Sequence, residues 1–176
     1  LIVSKNHHAI HSPFVFDLVT NVIYKNISTI TTSEIELLRS NLCKDNNFIN
    51  VKDFGAGSNI NKKKKRKIMD IAKNSSKNKK FGELLYRIVK HFKPKEIFEL
   101  GTSFGISTLY LSKANLKSNI TTFEGCEESA KIALDNFKKL DCANINTIVG
   151  EFGETFTKKL AEKNKVNMVF IDGNHS

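Results

Sequence analysis

Glu99, Gly101 and Gly105 stand in the run Glu96-Ile97-Phe98-Glu99-Leu100-Gly101-Thr102-Ser103-Phe104-Gly105, where an apolar strand-like segment gives way to a helical one. In an open α/β sheet, ligands sit beyond the carboxyl ends of the strands. Glycines in the first strand-to-helix turn remove the Cβ atoms that would keep a ligand from the backbone. A dinucleotide turn needs G-x-G-x-x-G, because a pyrophosphate must rest on the helix N-terminus. Gly101-x-x-x-Gly105 has a different spacing. It suits a ligand whose own carboxylate meets the amides from Thr102 to Gly105, with Glu99 available to an ammonium group.

The elements that must position this turn follow from periodicity. Apolar runs at Glu96–Leu100, Ile120–Glu124, Ile145–Val149 and Val166–Asp172 are separated by helical segments. That pattern predicts right-handed crossovers and a parallel sheet with helices on its faces. Phe81, Leu84, Leu85, Ile88, Val89 and Phe92 line a helix that Lys93-Pro94 stops, and Ala130, Ala133, Leu134 and Phe137 line another. Upstream, Ser12-Pro13 opens a short helix with Val15, Leu18, Val19, Val22 and Ile23 on one face. Ser33-x-x-Glu36 reads as a capping box before Ile35, Leu38 and Leu42. Asp53 to Ser58 is turn-rich, a weak helical pattern runs through Ile68, Ile71 and Ala72, and Asn74 to Lys80 reads as a loop. Residues 1–80 are therefore expected to form a helical and loop extension, and 81–176 an α/β domain.

The segment from Glu99 to Gly105 resembles motif I of class I S-adenosylmethionine-dependent methyltransferases, in the version of the catechol O-methyltransferase-like group and its bacterial O-methyltransferase branch. The resemblance implies a Rossmann-like methyltransferase fold, with strand order 3-2-1-4 in this chain after an N-terminal helical extension. The family's full order is 3-2-1-4-5-7-6, so the chain is expected to be an N-terminal portion with an open apolar edge at its fourth strand. It implies S-adenosylmethionine as cofactor, held by Glu99, Gly101, Thr102, Ser103 and Gly105. Glu124, followed by Gly125, matches the family's acid for the two ribose hydroxyls, a role suited to a carboxylate facing a vicinal diol. Gly150, Glu151 and Phe152 fall where the family contacts adenine: Glu151 as acceptor for the exocyclic amine, Phe152 against the ring.

Asp172 falls where the family keeps an acid near the reactive methyl, in some members as a metal ligand. Asp172-Gly173-Asn174-His175 resembles the D-G-x-H turn of the bacterial branch, which makes His175 a candidate general base. A divalent metal is left open, because the other ligands of metal-dependent members lie downstream. The implied reaction is methyl transfer to a hydroxyl oxygen of a small molecule. His11-Ser12-Pro13-Phe14 to Leu18 and Asp53 to Ser58 resemble the branch's N-terminal extension.

Composition narrows the alternatives. The 176 residues are 40% hydrophobic, ordinary for one domain with a core. A net charge of +10 is concentrated partly in Lys62 to Lys67, read as a solvated face or loop. That run supports the rival reading, a catalytically silent module contacting RNA or an acidic partner, but no aromatic residue interleaves it. Cys43, Cys126 and Cys142 are odd in number and widely spaced, which indicates neither a disulfide framework nor a zinc cluster and fits the cytoplasm. No stretch reaches the ~20 apolar residues of a membrane span. His7, His8 and His11 lack acidic or cysteine neighbours, and Asp53-x-Gly55-x-Gly57 lacks a following strong helix, so both read as carrying no chemistry of their own.

Overall fold

Short apolar strands separated by helices can pair in parallel only if each connection crosses the sheet, and the computed structural model of the chain shows three such crossovers. It describes residues 12–25, 32–51, 64–75, 78–163 and 165–173. The N-terminal part comprises α1 (Pro13–Leu18), continued by a π-helical turn Val19–Ile23, then α2 (Ser33–Leu42), β1 (Phe48–Val51), β2 (Lys64–Lys67) and α3 (Ile68–Ser75). Next come α4 (Lys79–Phe92), β3 (Glu96–Leu100), α5 (Ile106–Ala114), β4 (Asn119–Glu124), α6 (Glu127–Lys139), β5 (Ile145–Val149), α7 (Phe152–Ala161) and β6 (Met168–Ile171).

The four strands β3 to β6 form a parallel sheet ordered β5-β4-β3-β6. Counted among themselves, these strands run 3-2-1-4. α5 and α6 carry the chain outward from β3 to β5, and α7 returns it to the opposite side of β3. The carboxyl ends of β3 and β6 therefore flank the switch point where such sheets bind ligands. Side chains alternate across the sheet. On one face, Ile97 and Ile120 are buried with Leu85 and Val89 of α4 and Leu111 of α5. On the other, Phe98 and Phe123 meet Phe156 of α7 edge to face, at 6.0 and 5.7 Å between ring centres. β6 is an edge strand, with Val169 and Ile171 exposed.

Several local expectations change in three dimensions. β1 and β2 form a separate antiparallel pair that periodicity did not announce. The basic residues Lys64–Lys67 are thus a strand running straight into α3, with the Lys67 ammonium over the Phe48 ring. A solvated edge strand tolerates such charges because pairing uses only the backbone. α2 begins at Ser33 after the N-cap Thr32, whose side chain makes no capping bond, so the expected capping box is not the cap. Glu36 instead accepts from Arg39 and from Tyr110 of α5. Ser12 does cap α1 and Pro13 is its first residue, but only Val22 of the expected apolar stripe is buried. Asn74 and Ser75 belong to α3, and Asn78 caps α4 by accepting from the Phe81 amide, which shortens the expected loop at both ends. Asp53 to Ser58, Lys62, Lys63, His7, His8 and His11 lie outside the described residues.

The extension and the α/β part share one core. Ile35, Leu42, Ile49, Ile68 and Ala72 pack with Tyr86, Phe104, Ile106, Leu109, Tyr110, Ala133 and Phe137. The division expected near residue 80 therefore does not separate two hydrophobic cores.

Candidate functional site

The carboxyl ends of the four parallel strands are tied together by backbone hydrogen bonds. The amides of Gly101 and Thr102 both donate to the Phe123 carbonyl, at 2.9 and 3.1 Å. The Gly150 amide donates to the Glu124 carbonyl at 2.9 Å, and the Asp172 amide to the Leu100 carbonyl at 2.8 Å. The turns after β3, β4, β5 and β6 thus form one rim, and Gly101 and Glu124 lie on adjacent strands of it.

Gly101 and Gly105 each have a positive φ, 99° and 81°. A Cβ on Gly101 would lie 2.6 Å from the Gly173 nitrogen and 2.8 Å from the Asp172 carbonyl carbon. Only glycine lets the turn after β3 approach the turn after β6 so closely. Gly105, the N-cap of α5, faces Phe137 of α6, whose ring carbon would stand 2.4 Å from an added Cβ. Its demand is helix packing.

Glu99 is fully buried on β3. Its Oε2 accepts from the hydroxyls of Thr108 and Thr122, and Thr122 is within 2.6 Å of Thr102. Each threonine has one proton, so the direction is set: Thr102 donates to Thr122, and Thr122 to Glu99. Oε1 of Glu99 has no hydrogen-bond partner among the described residues. Burial pushes the carboxyl up to about 7 against these hydroxyls and that of Ser107, with the nearby Asp172 charge adding to the rise. A buried carboxylate with one oxygen held by hydroxyl donors and the other open is suited to a cationic partner.

Glu124 ends β4, partly buried. Its Oε2 accepts from the Ser103 amide at 2.7 Å and its Oε1 from the Cys126 amide at 2.8 Å. Burial raises its carboxyl above the ordinary value, while the amides of Cys126, Ser103 and Gly125 pull the other way. Two amides fix its orientation, and a carboxylate with about four lone-pair sites retains room for further donors.

The same amides bear on the expected carboxylate contact. That of Ser103 is engaged by Glu124, that of Thr102 by Phe123, and that of Gly105 donates to the Thr102 carbonyl at 2.8 Å. The turn spends these donors on its own shape. Thr102 is buried and directs its hydroxyl into the domain, so its side chain serves the Glu99 network.

Residues 98–176 match a family model described as a methyltransferase domain. That stretch, a little under half of the chain, is similar to such a domain. Solved structures of similar fold include an O-methyltransferase from Bacillus cereus in complex with SAH, at TM-score 0.57 and 17% identity, covering 90% of this chain and 59% of that one. A SAH-bound methyltransferase from Podospora anserina gives 0.60 and 18%, covering 96% and 62%. An O-methyltransferase from Streptomyces achromogenes in complex with SAM gives 0.51 and 22%, covering 57% and 47%. The chain thus spans about half to three-fifths of these proteins' lengths. The search of curated proteins found no match.

Within the matched stretch, the structure brings Glu99, Gly101, Thr102, Ser103, Glu124, Gly125, Gly150 and Asp172 to one end of the sheet. Gly105 is one turn further, against α6. Glu151 is the exposed N-cap of α7 and makes no side-chain capping bond. The Phe152 ring lies over Gly173, where a Cβ would meet it at 2.4 Å. His175 lies outside the described residues. Among those described, no three His, Cys, Asp or Glu side chains are grouped to hold a metal ion, and no helix is long and apolar enough to cross a membrane.

Sequence reasoning missed Thr108, Thr122 and Ser75. The signal for the first two was a hydroxyl in a run bounded by apolar residues, Thr108 in Ile106–Leu111 and Thr122 in Ile120–Phe123. Ser75 left no signal, because only the packing of α3 brings it to Ser103, at 2.9 Å between hydroxyl oxygens.

Proposed function

We propose that the chain carries a methyltransferase domain, which binds S-adenosylmethionine at the β3–β4–β6 rim and serves methyl transfer to a hydroxyl oxygen of a small molecule. The observation that carries this reading is the pairing of Glu99, buried with one oxygen open, and Glu124, oriented by the Ser103 and Cys126 amides. Glu99 would receive the ammonium group and Glu124 the ribose hydroxyls. Gly150, Glu151 and Phe152 would border the adenine. When bound, the cofactor supplies an electrophilic methyl on a sulfonium sulfur. The chain's part is chiefly positioning, worth most when the reacting atoms are held close and in line. Asp172, at the switch point beside Gly101, would orient the acceptor, and His175 would take its hydroxyl proton.

The likeness to the O-methyltransferases from Bacillus cereus and Streptomyces achromogenes supports oxygen as the acceptor atom. Isothermal titration of SAH tests the cofactor site. Micromolar-range binding is expected, with Glu124→Ala weaker on the order of tenfold or more through loss of the ribose hydrogen bonds. Unchanged affinity in that variant would remove Glu124 from the site.

A further inference from the structure

α3 ends at Ser75, beside the turn after β3, and proton counting fixes the direction of the bond between its hydroxyl and that of Ser103. Ser75 donates its single proton to the Ile71 carbonyl at 2.8 Å. In the 2.9 Å contact with Ser103 it must therefore accept, and Ser103 donates. Ser103 has φ 48°, one of three positive values at non-glycine residues among the described residues. L-residues leave that region readily unless they are held there. Two bonds hold Ser103: its hydroxyl to Ser75, and its amide to Glu124 Oε2 at 2.7 Å.

We propose that Ser75 is a positioning residue for the cofactor site: it anchors Ser103 and, through the Ser103 amide, sets the orientation of the Glu124 carboxylate. The inference rests on the reading of Glu124 as the ribose acceptor. A second contact of the extension touches Cys126 and Glu128, next to the amide that holds the other oxygen of Glu124. The Asn50 amide and side chain on β1 donate to Glu128 at 2.6 and 2.8 Å, and Cys126 Sγ meets the Asn50 carbonyl at 3.6 Å. Cys126 is the residue whose amide donates to Glu124 Oε1. Residues upstream of the matched domain thus brace both amides that aim Glu124. Ser75 is exposed, so its hydroxyl can be removed without opening the core.

The test is SAH titration on the full chain with Ser75→Ala, Ser75→Thr, Ser103→Ala and the Ser75/Ser103 double alanine variant, alongside their thermal midpoints. Ser75→Ala is expected to weaken SAH binding roughly three- to tenfold with an unchanged midpoint, the scale of one neutral hydrogen bond. Ser75→Thr should restore affinity. The double variant should bind no worse than Ser103→Ala, because both changes break one link. Wild-type affinity in Ser75→Ala, additive losses, or a loss that follows the midpoint and resists Ser75→Thr would overturn the positioning role alone. A wild-type chain that does not bind SAH would overturn both this role and the cofactor reading.

Discussion

At the scale of single residues, the site depends on two acids whose surroundings differ. Glu99 is sealed in the sheet with one oxygen satisfied by threonines, and Glu124 sits at the rim with both oxygens on amides. Because Glu99 is pushed up to about 7, it is largely protonated below that pH in the cofactor-free protein. An ammonium group requires the ionised form, so binding must expel a proton there. SAH affinity is therefore expected to fall as pH drops below about 7, approaching tenfold per pH unit in the limit. Glu99→Gln should bind weakly and lose the change in affinity centred near pH 7, in buffers of about 0.1 M ionic strength. The stability sign is the reverse. A carboxyl whose folded value is raised favours the fold at low pH, and that contribution is lost as pH rises from the ordinary value of 4.5 through about 7. Urea titrations of the cofactor-free chain and of Glu99→Gln should differ by this contribution, the variant gaining stability relative to the wild type as pH rises from 4.5 through about 7.

At the scale of elements, the two glycines of the first turn answer different demands. Gly105→Ala places a methyl against the Phe137 ring of α6, which can move by bending the helix contact. Gly101→Ala places one against the backbone of Asp172 and Gly173, which cannot retreat without breaking β6 from β3. Both are expected to destabilise, Gly105→Ala by about 1–3 kcal/mol and Gly101→Ala by more, since both also require a positive φ of alanine. Denaturant unfolding decides this, and equal losses would count against the assigned packing. These elements were legible to different degrees. β3, β4, β5 and the helices between them could be read because each apolar run is flanked by a clear helical stripe. The antiparallel pair of β1 and β2 could not, because strands of four residues, one wholly basic, have no periodicity of their own. β1 is tied to α6 through Asn50 and Glu128.

At the scale of the molecule, the extension and the α/β part behave as one hydrophobic unit, although composition and motif position suggested a boundary near residue 80. Ala72 of α3 is fully buried among residues from both parts. The chain is expected to unfold in a single calorimetric transition, and Ala72→Asp should lower that whole transition, by about 3 kcal/mol or more, for a charge buried without a partner. Two resolved transitions, with only one moved by Ala72→Asp, would show independent units. The candidate site was readable at its strand-end acids and glycines, whose positions follow from sheet topology. It was not read in its supporting hydroxyls, because Thr108, Thr122 and Ser75 are brought to their partners by the helix after β3, by strand pairing and by the packing of α3.

The proposed function requires Glu99 and Glu124 jointly to receive an amino-acid-bearing nucleoside at the carboxyl ends of β3 and β4. A crystal structure of the chain grown with saturating SAH tests it most directly. The ribose hydroxyls should lie within about 3.2 Å of the Glu124 carboxylate, with the ammonium group turned toward Glu99. SAH bound elsewhere, or bound here with the ribose turned away from Glu124, would contradict it.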